Sequence, residues 1–120
     1  MPTSVATNSA AERRLPFADG VAFIDGEYVP IREARISILG WGFIRSDVTY
    51  DVVHVWKGRF FRLQHHLDRF EKSVAGLRMI LPHSRSEIEA VLHELMRLSG
   101  LRDAYVEVIC TRGVAPVEFP

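Results

Sequence analysis

Residues 48–56 constrain this chain most. Every residue in Val48-Thr49-Tyr50-Asp51-Val52-Val53-His54-Val55-Trp56 except Asp51 and His54 is β-branched or aromatic. Such side chains suit a pleated, half-buried surface, so the segment reads as a strand. Strand side chains alternate between faces. Val48, Tyr50, Val52, His54 and Trp56 therefore share one face, and Thr49, Asp51, Val53 and Val55 the other. Lys57-Gly58 turns the chain, and residues 59–62 are expected to return as a second strand.

The period then changes from two to that of a helix. Leu63, Leu67, Phe70, Val74 and Leu77 step by four and three residues and make one apolar stripe, with Pro82 expected to end the segment. Ser84 followed by Glu87 is a capping box. Ile88, Val91, Leu92, Leu95 and Leu98 form a second stripe, and Gly100 is placed as its stop. Residues 104–111 read as a last strand with Tyr105, Glu107, Ile109 and Thr111 on one face. Upstream, Val21-Ala22-Phe23-Ile24 and Tyr28-Val29 flank Asp25-Gly26, a two-residue hairpin signal, and Pro30 limits the return strand. Residues 34–39 look like another short extended piece, and residues 40–47 like a loop with two glycines and a Ser/Asp pair. This order predicts an α+β domain: a small, mostly antiparallel sheet with two helices packed on one side.

With 120 residues, 48% of them hydrophobic, the chain has the size and apolar content of one domain. Residues 1–20 are expected to be a disordered tail and residues 21–120 the domain. The tail is Ser/Thr/Ala-rich and lacks the apolar centre of a secretory signal. Lys plus Arg and Asp plus Glu are both 15, so no charge excess points to nucleic acid or an anionic membrane. The single cysteine, Cys110, excludes an internal disulfide and fits a reduced, cytoplasmic setting. No apolar run is long enough to span a bilayer. The basic residues are uneven: only Lys57 and Lys72 are lysines. Arginine suits bidentate recognition of phosphate and carboxylate, whereas an imine to a cofactor requires lysine.

Few residues stand out chemically. Arg69 precedes the stripe residue Phe70, so it lies at the stripe's edge and can reach inward to an anion. Spacing alone reads it first as a helix-surface arginine. Tyr50, in a central strand, reads from its position as a core residue with its hydroxyl satisfied. Glu107, flanked by Val106 and Val108, must be exposed, paired or functional. It shares a face with Tyr105, which makes either a pocket wall or a solvent-facing surface. His65 and His66 point apart on their helix, and no histidine or cysteine spacing suits a metal. No nucleophile elbow, phosphate-binding P-loop or dinucleotide glycine motif is present.

The segments carry more in combination. Ala34-Arg35-Ile36-Ser37-Ile38, Ser46-Asp47-Val48-Thr49-Tyr50-Asp51-Val52, Val55-Trp56-Lys57-Gly58-Arg59-Phe60-Phe61-Arg62-Leu63, His66-Leu67-Asp68-Arg69-Phe70 and Tyr105-Val106-Glu107-Val108-Ile109-Cys110-Thr111-Arg112-Gly113 follow one another. In this order and spacing they resemble the first domain of fold-type IV pyridoxal-phosphate (PLP) enzymes. That group includes branched-chain and D-amino acid aminotransferases and aminodeoxychorismate lyase. The S-D-x-T-Y-D-V stretch with V-W-x-G-x-F-F-R-L looks most like the (R)-selective amine transaminases.

The resemblance, running from about Phe23 to Gly113, implies PLP-dependent transamination between an amine or amino acid and a keto acid. It implies that Arg69 binds the cofactor phosphate, that Tyr50 lines the substrate pocket and that Val52 belongs to its smaller part. Tyr105 and Glu107 would face the substrate, Tyr105 standing where the subgroup usually has Phe. Arg45 would face the larger part, where a cation could favour a carboxylate-bearing substrate. The imine-forming lysine, in such enzymes, lies in a second domain, and neither Lys57 nor Lys72 matches it. The chain is therefore expected to be the N-terminal part of a homodimeric enzyme, inactive by itself. A PLP lyase of the same superfamily and a noncatalytic interaction module are the other readings.

Overall fold

Two turns of one kind organise the strands. Lys57 and Gly58 both have positive φ (51° and 78°), and Asp25 and Gly26 repeat the geometry (52° and 79°). Two consecutive left-handed residues make the turn whose twist matches the strands it joins, and Gly58 adopts it without a Cβ penalty. The computed structural model, which describes residues 16–114, accordingly pairs β1 (Val21–Ile24) with β2 (Glu27–Pro30) and β3 (Val48–Trp56) with β4 (Arg59–Phe60), both antiparallel. On the other edge of β3 runs β5 (Ala104–Thr111), antiparallel, in register from Val48 opposite Thr111 to Val55 opposite Ala104. The remaining elements are a 3-10 turn (Ile31–Glu33), α1 (Trp41–Arg45), α2 (Leu63–Gly76) and α3 (Arg85–Ser99).

Alternation within β3 and β5 divides the three-stranded sheet into two unlike faces. Asp51, Val53 and Val55 of β3 and Val106, Val108 and Cys110 of β5 are buried, whereas Tyr50, Trp56, Tyr105 and Ile109 are exposed. Onto the inner face α2 lays Leu67, Phe70 and Val74, and α3 adds Leu92, with Ile88, Leu95 and Met96 packed alongside. Each fully buried Leu or Val, such as Leu67, Val53 and Val55, contributes about 1.5–3 kcal/mol relative to exposure. The capping box of α3 is complete: the Ser84 hydroxyl accepts from the Glu87 N–H, and the Glu87 carboxylate accepts from the Ser84 N–H. Gly100, left-handed at φ 69°, closes that helix.

The α+β class is as expected, with local differences. The strands divide between two sheets, β1–β2 and β4–β3–β5. Residues 34–39 join neither. Residues 40–47, read as a loop, contain α1, because the Gly40 carbonyl accepts from both Phe43 and Ile44 and Ser46 turns left-handed to cap it. Gly42 is needed there: a Cβ would lie 2.8 Å from Thr111 Cγ2 and 3.3 Å from Val48 Cβ. The return strand stops at Phe60, because Arg62 takes a left-handed conformation (φ 57°) that starts α2. That helix ends at Gly76, well before Pro82, and Leu77 is left substantially exposed. Of the expected tail, residues 1–15 lie outside the described residues, and Pro16 to Asp19 form a turn.

One arginine ties the end of α2 to the sheet. The Arg112 N–H donates to the Asp47 carbonyl, extending the β3–β5 ladder, and its guanidinium forks the Asp47 carboxylate at 2.9 and 3.3 Å. The same group donates to the Leu77 and Arg78 carbonyls at 2.6 and 3.0 Å. A cation there satisfies carbonyls that a helix end leaves unpaired.

Candidate functional site

Asp51 is the anomaly in β3: a carboxylate on the buried face, between Thr49 and Val53, with its side chain only 4% exposed. A buried charge must find partners. It finds them on α2, where residues three apart share a helix side. Arg69 donates from Nε to Oδ2 at 2.7 Å and from Nη2 to Oδ1 at 3.0 Å, a bidentate fork. His66 Nδ1 lies 2.8 Å from Oδ1 and, facing an ionised carboxylate, carries the proton. The hydrogen bonds from Arg69, followed by those from His66, outweigh burial and hold the Asp51 carboxyl down at about 2.

This has a pH consequence. Asp51 titrates lower in the folded chain than the ordinary aspartate value near 4, so its stabilisation is present above that value. It is lost as pH falls from about 4 towards about 2. Because the partnering Arg69 side chain is 60% exposed and water screens it, the contribution is about 1–2 kcal/mol. The urea-unfolding difference between the parent chain and Asp51→Asn should shrink by that amount between pH 5 and pH 2.

The fork leaves one corner of the guanidinium unused. Nη1 of Arg69 makes no hydrogen bond among the described residues. Arg69 lines an open depression of about 310 Å³ with Tyr50, Asp51, Val52 and Ser73. The depression wraps around an edge of β3 left unpaired among the described residues, since β4 reaches only Val55 and Trp56. The His54 carbonyl points to that side, accepting from Phe61, and the Asp47 carbonyl points to the opposite side, accepting from Arg112. By alternation, Tyr50 and Val52 turn their backbone groups toward the unpaired edge. A half-engaged guanidinium at such an edge fits an oxyanion.

Tyr50, Val52, Tyr105 and Glu107 stand together on the open face, Val52 directly opposite Glu107 in the ladder. His54 stacks on Tyr105 at 4.9 Å and meets the Trp56 ring edge-on at 6.2 Å. Arg69 approaches from the helix side, so it and the open face meet only around the β3 edge. Arg45 stands apart: it ends α1, its guanidinium carbon 5.8 Å from the Trp41 ring centre, and it has no ion pair among the described residues. Lys57 sits in the hairpin turn with its ammonium 5.8 Å from the Trp56 ring centre. Lys72 lines a different depression, with Asp68, Glu71 and Ala75. No cluster of metal-ligating side chains occurs among the described residues, and none of their helices is long and apolar enough to cross a membrane.

Asp51 and His66 were not singled out by sequence reasoning. A signal existed: alternation already placed Asp51 on the face of Val53 and Val55, where a lone carboxylate needs a cation, and His66 and Arg69 lie three apart on the facing helix.

Residues 49–118 match the family described as amino-transferase class IV. A putative branched-chain-amino-acid aminotransferase of Methanocaldococcus jannaschii is 30% identical over 92 residues, covering 77% of this chain and 32% of the relative. A D-alanine aminotransferase of Staphylococcus haemolyticus is 29% identical over 94 residues, covering 78% and 33%. Among solved structures, a branched-chain amino acid aminotransferase complexed with N-(5'-phosphopyridoxyl)-L-glutamate superimposes with a TM-score of 0.74 at 29% identity, over 81% of this chain and 34% of that one. The chain thus spans about a third of the length of these relatives.

Proposed function

Since the chain belongs to the class IV amino-transferase family, we propose that it carries the phosphate-anchoring arginine and one wall of the substrate pocket of a pyridoxal-phosphate transaminase. The observation that carries this reading is Arg69. Its guanidinium is fixed on one edge by Asp51, has Nη1 unengaged among the described residues, and lines a depression that reaches the open sheet face. Binding of a phosphopyridoxyl group by the similar branched-chain enzyme supports the same cofactor here. When bound, pyridoxal phosphate supplies the aldehyde and electron sink for moving an amino group between an amine or amino acid and a keto acid.

The chain's own residues have narrower tasks. Arg69 would hold the phosphate, its guanidinium offering charge-assisted hydrogen bonds to an oxyanion. Tyr50 and Val52 form the wall beside it, and Tyr105 and Glu107 continue that wall across the ladder. Glu107 is exposed in an otherwise apolar and aromatic surface, which suits contact with a cationic amine. Arg45, a cation without an ion pair among the described residues, suits a substrate carboxylate. In this reading neither lysine is the cofactor's covalent partner; Lys57 lies in a turn and Lys72 lines the other depression, which supports it.

Residues 1–120 mixed with pyridoxal phosphate and treated with borohydride should therefore show scattered, substoichiometric lysine labelling and no amine-to-keto-acid turnover. Mapping the labelled peptides checks this. Stoichiometric labelling of Lys57 or Lys72 alone, with turnover, would contradict the assigned roles.

A further inference from the structure

We infer that Asp51 is a positioning residue for Arg69: its buried carboxylate, braced by His66, turns the guanidinium so that Nη1 is left for the depression. The inference rests on the phosphate reading above and goes on to say what aims the arginine. Three observations carry it. The fork is two-pointed, 2.7 and 3.0 Å, so it fixes the plane of the guanidinium as well as its place. The carboxylate is held from two elements, by its own position in the central strand β3 and by His66 of α2 at 2.8 Å. The Arg69 side chain is 60% exposed, so without the fork a long, freely rotating side chain would sample water.

A competing effect has the opposite sign. Asp51 cancels the charge of Arg69, and its removal would attract an anion more strongly. That gain is weak because water screens an exposed guanidinium, and it weakens further with salt. Orientation dominates, and the two effects predict opposite outcomes for one variant.

The test uses the ¹⁵N-labelled chain, titrated with inorganic phosphate and separately with pyridoxamine 5′-phosphate, which has no aldehyde to react with exposed lysines. In the parent, the Arg69 Nε–H should give a distinct signal, shifted and slowed in exchange by its carboxylate, and that signal should move on titration. Asp51→Asn should lose the distinct signal and bind both ligands on the order of tenfold more weakly. Arg69→Lys, which keeps the charge and loses the fork, should be weakened alike. Thermal melting confirms that each variant folds. Should Asp51→Asn fail to fold, the parent signal and Arg69→Lys still decide. Asp51→Asn binding as tightly as the parent, or more tightly, overturns the positioning role. So does parent-like binding by Arg69→Lys. If Arg69→Ala leaves affinity unchanged, the phosphate reading itself fails and this inference with it. If Arg69→Ala weakens binding and Asp51→Asn does not, only the positioning role fails.

Discussion

Phe70→Ala should destabilise the chain by about 3–5 kcal/mol, the largest effect expected of any single truncation here. Phe70 is 2% exposed and lies in one cluster with Val55, Leu67, Val74, Leu92, Val106 and Val108. That cluster joins α2, α3 and the inner sheet face, so a cavity there cannot close by moving one side chain. Removing the ring loses its transfer energy and the dispersion contacts of every neighbour that fails to relax. Domains of this size are stable by roughly 5–15 kcal/mol, so the variant would be near its folding limit. Urea unfolding should show a large fall in midpoint with little change in slope. Ile80→Ala is the matched control: Ile80 is 91% exposed, and its loss should stay within about 0.5 kcal/mol. A Phe70→Ala cost no greater than that of Ile80→Ala would mean that the helices do not pack on the sheet as described.

Arg69→Ala should lower affinity for pyridoxamine 5′-phosphate on the order of ten- to a hundredfold, the size of a lost hydrogen bond to a charged group. The parent affinity should fall with added salt and the residual affinity of the variant much less, because the guanidinium sits where counter-ions reach it. Asp51 would also lose its cation and remain buried beside His66 alone, so some loss of stability should accompany the loss of binding. Lys72→Ala separates this from a general charge effect. Lys72 is also a cation of α2, but it lines the depression of Asp68, Glu71 and Ala75, and its loss should leave affinity unchanged. Equal effects of the two substitutions would reduce Arg69 to one unit of net charge.

The parts of this fold that were legible in the sequence are those governed by short-range rules. Alternation from Val48 to Trp56 put Val53 and Val55 on one face and Tyr50 and Trp56 on the other, and the structure keeps that division; Tyr50, read as core from its place in the strand, is exposed because the helices cover the opposite face. Ser84 with Glu87, Gly100, and the Asp25-Gly26 and Lys57-Gly58 turns each rest on the geometry of a few neighbouring residues, and each is present. Where tertiary contacts decide, local signals misled. Gly40 and Gly42 read as loop, yet Gly42 is there because Thr111 and Val48 crowd it against the sheet, and the backbone from Trp41 to Arg45 is helical. Leu77 continued the apolar period of α2, but the helix ends at Gly76, where Arg112, thirty-five residues on, takes the Leu77 carbonyl. The site divides the same way. The shared face of Tyr50, Val52, Tyr105 and Glu107 was legible from alternation within two strands plus the resemblance, and the pairing of β3 with β5 brings the four together. The Asp51–His66–Arg69 cluster needed knowledge of which helix covers which strand, and spacing alone gave Arg69 no partner.

Amide chemical-shift mapping with pyridoxamine 5′-phosphate shows whether the chain anchors a cofactor phosphate at Arg69 beside the open face of β3 and β5. The predicted perturbations centre on Tyr50, Asp51, Val52, Arg69 and Ser73, which line one depression, and spread to Glu107 across the ladder from Val52. They should follow a single saturating curve and vanish in Arg69→Ala. Perturbations centred instead on Asp68, Glu71 and Lys72, or scattered without saturation in both the parent and Arg69→Ala, would contradict it.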